Sequence, residues 1–287
     1  LIKAGEYESD IDTSFPSSQF NHVIVAVPNK SDTLWLECTS QTNPFGYLGD
    51  FTGSRHALMI TDKGGRIVRT PSYTSDDNTQ SRTADVFVEL TGNAKAKVKT
   101  TYCGLQYQNG ELNQIINHQY DEQKKWLQKN VKIPAFDVVQ FTMVNNKKVI
   151  PSAIVSTELN LSRFATVSGK RIFLTPNLMN KSSYIPEKLE ARKSKIVLRI
   201  PFTDLDTVQY HLPEGIYPEF LPETIKVNSQ FGEYEASYTV DQGQLLYIRK
   251  LKMNKGEFPP ESYKEFTDFY KSINKADNTK IVFMSKT

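Results

Sequence analysis

Cysteine is nearly absent: Cys38 and Cys103 are the only two in 287 residues. Two cysteines cannot make a disulfide framework, and no CxxC or Cys/His spacing suggests zinc. Histidine is also sparse, with four. No apolar run approaches the ~20 residues of a transmembrane helix, so no membrane-spanning segment is expected. Charge of one sign is missing too. The 35 basic and 32 acidic side chains leave +3, weak grounds for nucleic acid as a partner. Gly-rich phosphate loops, the G-x-S-x-G elbow, internal repeats and low-complexity tracts are all lacking. No cofactor and no metal is expected. A basic, apolar leader does not open the chain, which starts on Leu1.

What is present is strand character, with 38% hydrophobic and 23% charged residues, ordinary for a globular chain of about two domains. Phe20–Val27 and Thr33–Glu37 flank Pro28–Asp32 and read as a hairpin. Ala57–Ile60 and Arg66–Arg69 flank Asp62-Lys63-Gly64-Gly65 and read as a second. Residues 71–82, polar and Ser/Thr/Asp-rich, read as a linker. Beyond it come Asp85–Leu90, Ala96–Tyr102, Asp137–Val144, Val149–Leu161, Ile196–Phe202, Gln209–Leu212, Ile225–Val227, Tyr234–Val240, Leu245–Leu251 and Ile281–Met284. Their alternation suits half-buried antiparallel strands. Helical spacing appears over Leu112–Asn130, and again after Pro259-Pro260 through Tyr263, Phe266, Phe269, Tyr270 and Ile273. Residues 174–195 are loop-rich and could divide the later domain near 175–195. The expected class is mainly β with two helices (α+β), sandwich-like after the linker.

The sharpest chemistry lies in the first hairpin. With Ala26 opposite Thr33, His22 falls opposite Glu37, where cross-strand Cβ atoms lie ~4.5–5.5 Å apart. A carboxylate there could fix the imidazole tautomer and stabilise its cation, the base-and-orienter part of a nucleophilic triad. The bland reading is a structural hydrogen bond. A one-residue slip would instead place Cys38 beside His22. Elsewhere the signals favour structure. His56 and His118 read as surface or helix-face residues, and His211 as a strand-end residue. The Asp10/Asp12 and Asp204/Asp206 pairs lack the Gly and closing Glu of a calcium loop and read as turns or strand ends. Free cysteines favour interiors, so Cys38 and Cys103 are expected to be buried. Most of Tyr210, Tyr217, Phe220, Phe231, Tyr234, Tyr238 and Tyr247 are expected in the core.

Phe20-Asn21-His22-Val23-Ile24-Val25-Ala26-Val27, Trp35-Leu36-Glu37-Cys38-Thr39 and Pro44-Phe45-Gly46-Tyr47-Leu48-Gly49 resemble the end of the bacterial transglutaminase-like papain-fold domain. His22 matches that family's catalytic histidine, and Glu37 occupies the position of its aspartate. Arg199–Phe202, Tyr210–Pro213, Gln230–Tyr234 and Phe258–Tyr263 are similar to the β-rich C-terminal domain of unknown function in such multidomain proteins. The resemblance implies residues 1–70 as the end of the transglutaminase-like core and 83–287 as that C-terminal domain. It implies a cysteine peptidase or transamidase acting on a protein or peptide amide, in the periplasm, secreted or at the cell envelope. The family's nucleophilic cysteine opens an upstream helix, whose last turn Leu1–Gly5 resembles. It would stand roughly 15–20 residues before Leu1. The chain alone is therefore expected to lack amidase activity. The rival expectation is a non-catalytic envelope module binding protein or glycan through its β sandwich.

Overall fold

The computed structural model describes residues 1–5, 8–30 and 32–285. Its centre is one eight-stranded sheet. The spatial order is Ile225–Ser229, Gly232–Asp241, Gln244–Met253, Phe202–His211, Thr79–Val88, Ala94–Cys103, Ser152–Leu161, Phe136–Asn146. Neighbours are antiparallel except at the middle, where Phe202–His211 runs parallel to Thr79–Val88. Two four-stranded antiparallel halves, one early and one late in sequence, thus meet along a single parallel seam.

The sheet is one-sided. In Thr79–Val88 the residues Gln80, Arg82, Ala84, Val86 and Val88 are buried while their neighbours are half-buried or exposed. Ala94–Cys103 alternates in the same way over its first eight residues. Lys95, Lys97 and Lys99 therefore stand on the solvent face. One packed and one wet face is what alternating antiparallel strands specify.

The inner face is covered by a second layer. A four-stranded sheet (Ile216–Phe220, Ile281–Ser285, Arg171–Leu174, Thr166–Ser168) contributes Ile172, Leu174, Ile281 and Phe283 to the same core cluster. The helix Tyr263–Asp277 adds Phe266, Phe269 and Ile273. A short 3-10 turn, Pro260–Ser262, precedes that helix, with proline in its first turn as the sequence suggests. The late aromatics divide five to two: Tyr210, Phe231, Tyr234, Tyr238 and Tyr247 are buried, and Tyr217 and Phe220 are exposed.

Several expectations need correction. Among the described residues there are four α-helices, not two. Leu112–Asn130 is broken into Leu112–Ile115 and Tyr120–Asn130, because Asn117 and His118 donate to carbonyls three residues back and Gln119 is extended. A further short helix, Gly49–Thr52, arises in the turn-rich segment. Residues 79–82 are strand, not linker, and Arg82 lies in the core. The 175–195 stretch has no strand or helix, but Asn177 and Leu178 are buried within it. Leu1–Gly5 is no helix. Ile2 is extended and bridges His22 on one side and Ala57 on the other, donating to the His22 carbonyl at 3.0 Å. Gly5, with φ of +136°, follows that extended segment instead of ending a helix.

A second, smaller core cluster gathers Ile2, Ala4, Ile24, Trp35, Leu48 and Ala57. The hairpin Val25–Pro28/Thr33–Leu36 borders this cluster through Trp35, and Ser31 between its strands lies outside the described residues. The second hairpin, His56–Thr61/Gly64–Arg69, pairs as the turn chemistry suggests.

Candidate functional site

The first hairpin pairs Ala26 with Trp35 and Val27 with Leu34. That register differs by two residues from the one with Ala26 opposite Thr33. A shift of two keeps every side chain on its face, whereas a shift of one would exchange the faces. His22 and Glu37 thus remain on one face as diagonal neighbours just beyond the ladder, and Cys38 takes the other face.

The two side chains meet. His22 Nε2 lies 3.1 Å from Glu37 Oε1 and 3.1 Å from Oε2. Side-chain exposure is 15% for His22 and 3% for Glu37. Glu37 is held from several sides. Oε1 accepts from Thr39 Oγ1 at 2.7 Å and from the Thr39 N–H at 3.1 Å. Oε2 accepts from Thr52 Oγ1 at 3.1 Å. Thr52 is fully buried, on the short helix Gly49–Thr52. Burial pushes the Glu37 carboxyl up, but the Thr39 side chain and backbone, together with His22, outweigh it. The net result is a pKa below the ordinary glutamate value, so Glu37 is an anion at neutral pH. The Phe51 ring stands edge-on to the imidazole, 5.3 Å between centroids. Nδ1 of His22 makes no hydrogen bond to any described residue. Since Glu37 can only accept, Nε2 carries a proton, and in the neutral ring Nδ1 is then the acceptor.

The other three histidines also contact carboxylates: His56 with Asp10, His118 with Glu122, His211 with Asp85. All three pairs are more exposed than His22–Glu37, with neither partner below 30%. Such pairs contribute little. His211 also stacks on Phe87, centroids 4.3 Å apart. Asp12 accepts from the Ser14 N–H and hydroxyl, a turn role as expected.

Both cysteines are free, Cys38 exposed and Cys103 half-buried; the interior placement expected for them fails. Cys38 sits at the mouth of the hairpin, past the last paired residue Leu36. A native-state thiol titration should therefore show two thiols, with Cys38 reacting well before Cys103. Equal rates, or a single reactive thiol, would contradict these placements.

Sequence reasoning missed a second constellation entirely. Asp206 is the register partner of Arg82 on one side and Arg249 on the other, directly across the parallel seam. Arg82 Nη1 donates to Asp206 at 2.7 Å, and Asn180 Nδ2 at 2.9 Å. Arg249 reaches Asp277 through Nε at 2.7 Å and Nη2 at 3.1 Å. Asp277 also accepts from Asn177, Tyr234 and the Ser182 N–H. Burial alone would lower the Arg249 pKa, but Asp277 and Asp206 hold the guanidinium cationic, with the pKa raised overall. The turn or strand-end role expected for Asp204 and Asp206 is wrong: both lie inside the strand Phe202–His211 on its inner side. The network ties the sheet, the final helix and the 175–195 loop together. Each guanidinium in it faces a carboxylate, although Arg249 Nη1 has no hydrogen-bond partner among the described residues and stands 3.5 Å from Asp206, and these charges serve the core rather than a reaction.

Comparison with known proteins adds the following. The family model of a domain of unknown function, DUF3858, matches residues 170–283. No curated protein matches the sequence. Among solved structures, a protein of Parabacteroides distasonis provisionally described as a protease aligns over 91% of this chain and 35% of its own, at 11% identity and a TM-score of 0.40. The chain spans about a third of that protein's length. No helix among the described residues is long and apolar enough to cross a membrane.

Proposed function

We propose that this chain carries the histidine and acid of a transglutaminase-like cysteine peptidase or transamidase, followed by an accessory β-rich domain. The observation that supports it is the His22–Glu37 pair itself. Its acid is buried, ionised and fixed by Thr39 and Thr52, and its imidazole keeps Nδ1 open as an acceptor. The resemblance of both hairpin strands to that family points the same way, and so does the match of residues 170–283 to a domain of unknown function.

In this reading the thiol comes from residues outside the chain. His22 Nδ1 takes the thiol proton, and Glu37 offsets the imidazolium charge. The thiolate attacks an amide carbonyl carbon. The C–N bond breaks as His22 returns the proton to the leaving amine. Water or a second amine then attacks the thioester carbonyl and releases the thiol. An envelope location and a protein or peptide amide substrate belong to the same proposal.

The test is amide turnover by the full-length gene product on glutamine- and peptide-amide substrates. His22→Ala should lower kcat by about 10³-fold or more, as loss of a triad base does. No turnover in the parent, or turnover unchanged by His22→Ala, overturns the proposal. On this chain alone, nitrogen NMR of the neutral His22 ring should show the Nε2–H tautomer. A dominant Nδ1–H form would remove the open acceptor on which the reading depends.

A further inference from the structure

The helix Gly49–Thr52 is only four residues long, and a single turn is not held in place by its own hydrogen bonds. Yet two of its residues touch the His22–Glu37 pair. The Thr52 hydroxyl lies 3.1 Å from Glu37 Oε2, and the Phe51 ring meets the imidazole edge-on. Where these two side chains sit therefore depends on what fixes the helix from outside. Leu48, the residue before it, has no side chain that could cap it.

Residues 70–73 supply the hold. At the far end the buried Thr70 hydroxyl donates to the Thr52 carbonyl at 2.9 Å and accepts from the Arg55 N–H at 2.9 Å. The Pro71 carbonyl accepts from the Ser54 N–H at 2.7 Å. At the near end the Tyr73 hydroxyl accepts from the Leu48 N–H at 3.0 Å. Leu48 is fully buried, so its N–H has no access to water in place of that partner. The Tyr73 ring packs on Tyr47, centroids 4.8 Å apart. Burial holds the Tyr73 phenol above the usual tyrosine range, with the Leu48 and Gly49 N–H groups opposing, so it is a neutral hydroxyl at pH 7.

A short chain of contacts leads from there to the site. The Leu48 carbonyl lies 3.3 Å from the Thr52 hydroxyl, which also faces Glu37. With one proton to give, that hydroxyl gives it to the anion, the stronger acceptor. Glu37 in turn orients the imidazole. We infer that Tyr73 is a positioning residue for the His22–Glu37 pair: by holding Leu48 it seats the helix Gly49–Thr52, and with it Thr52 on Glu37 and Phe51 on His22. Tyr73 makes no hydrogen bond to either member of the pair. Its part in amide turnover rests on the function proposed above, but its part in the geometry of the pair does not.

The experiment is NMR of the whole chain with Tyr73→Phe, which removes only the hydroxyl. In the parent the His22 Nε2–H should give a hydrogen-bonded ring signal, and cross-relaxation should link the His22 and Phe51 rings. In Tyr73→Phe those cross-peaks should weaken, and the Nε2–H should exchange with water about tenfold faster or more. Thr52→Val removes the last link and leaves Tyr73 in place, and it should speed the same exchange. The control is Tyr210→Phe, which removes a buried hydroxyl donating to the Pro176 carbonyl in the large core; both signals should stay as in the parent. Unchanged signals in Tyr73→Phe, an equal change in Tyr210→Phe, or a Tyr73→Phe effect that Thr52→Val does not share overturns the inference. In the full-length gene product Tyr73→Phe should lower kcat about tenfold at unchanged KM. An active parent whose kcat ignores Tyr73→Phe overturns the role in turnover. An inactive parent removes the amide reading alone, and the NMR result still decides the role of Tyr73.

Discussion

Asp277→Ala should destabilise the chain by about 3–5 kcal/mol, the cost of removing one partner from a buried ion pair. The variant leaves the Arg249 guanidinium without its two short contacts. Asn177, Tyr234 and the Ser182 N–H lose their acceptor at the same stroke. Asp277 is the last residue of the helix Tyr263–Asp277, where the helix dipole disfavours an anion. A carboxylate survives there because Arg249 and three further donors, Asn177, Ser182 and Tyr234, surround it, and the Tyr234 ring also turns its face to the guanidinium at 5.3 Å. Urea unfolding checks this through a lowered midpoint at unchanged slope. A loss below about 1 kcal/mol would mean that water reaches the site and the network is not closed. Adding Arg249→Met to Asp277→Ala should recover part of the loss, since it removes the stranded charge.

That network also marks where the sequence stopped being readable. Strand positions came through because apolar residues alternate: Leu245, Tyr247, Leu251 and Met253 share one face. Arg249 sits on the same parity and breaks the apolar series without leaving the strand. Arg82 does the same among Ala84, Val86 and Val88. A charged residue on the inward phase was the available signal, and it needs a partner on a neighbouring strand to make sense. The partner, Asp206, lies over 120 positions from Arg82, and only the parallel seam brings the two together. Thr203-Asp204-Leu205-Asp206-Thr207 looks like a polar break between two strands, Ile196–Phe202 and Gln209–Leu212, where the fold has one strand, Phe202–His211. Local composition cannot reveal a compensation supplied from that distance.

The His22–Glu37 pair was legible for the opposite reason. Its partners are 15 residues apart, joined by one tight turn, so parity alone decides whether they share a face. The register differed by two residues, and the conclusion survived because strand side chains repeat every two. The supports of Glu37 were only half legible. Thr39 is adjacent, but Thr52 arrives on a one-turn helix that no periodicity could announce over four residues. The extended Leu1–Ile2 segment is ambiguous in sequence for a related reason. Apolar residues before a glycine suit a helix end or a strand equally, and the bridges to His22 and Ala57 decide.

Asp204→Asn should flatten the chain's pH dependence above pH 5 and make it more stable than the parent at pH 8. Asp204 lies two residues before Asp206 on the same inner side, half-buried. Burial is the largest influence and pushes its carboxyl up to about 7; Arg249 and Arg82 pull it down, and Asp206 pushes it further up. Gln106 Nε2 donates to Oδ1 at 2.8 Å, a contact that asparagine can keep. An unfolded aspartate titrates near 3.9. Folding therefore takes up a proton between these two values. The stabilisation is fully present below about pH 4 and is lost as pH rises through about 7. For a side chain that water partly reaches, the loss is of order 2–4 kcal/mol. Glu37 runs the other way: its lowered pKa stabilises above the ordinary glutamate value and is lost on acidification. The two effects occupy different windows, so urea midpoints at pH 5 and pH 8 isolate Asp204. Parent and Asp204→Asn falling equally between those two pH values would show that Asp204 is already ionised in the fold, with Arg82 and Arg249 outweighing burial.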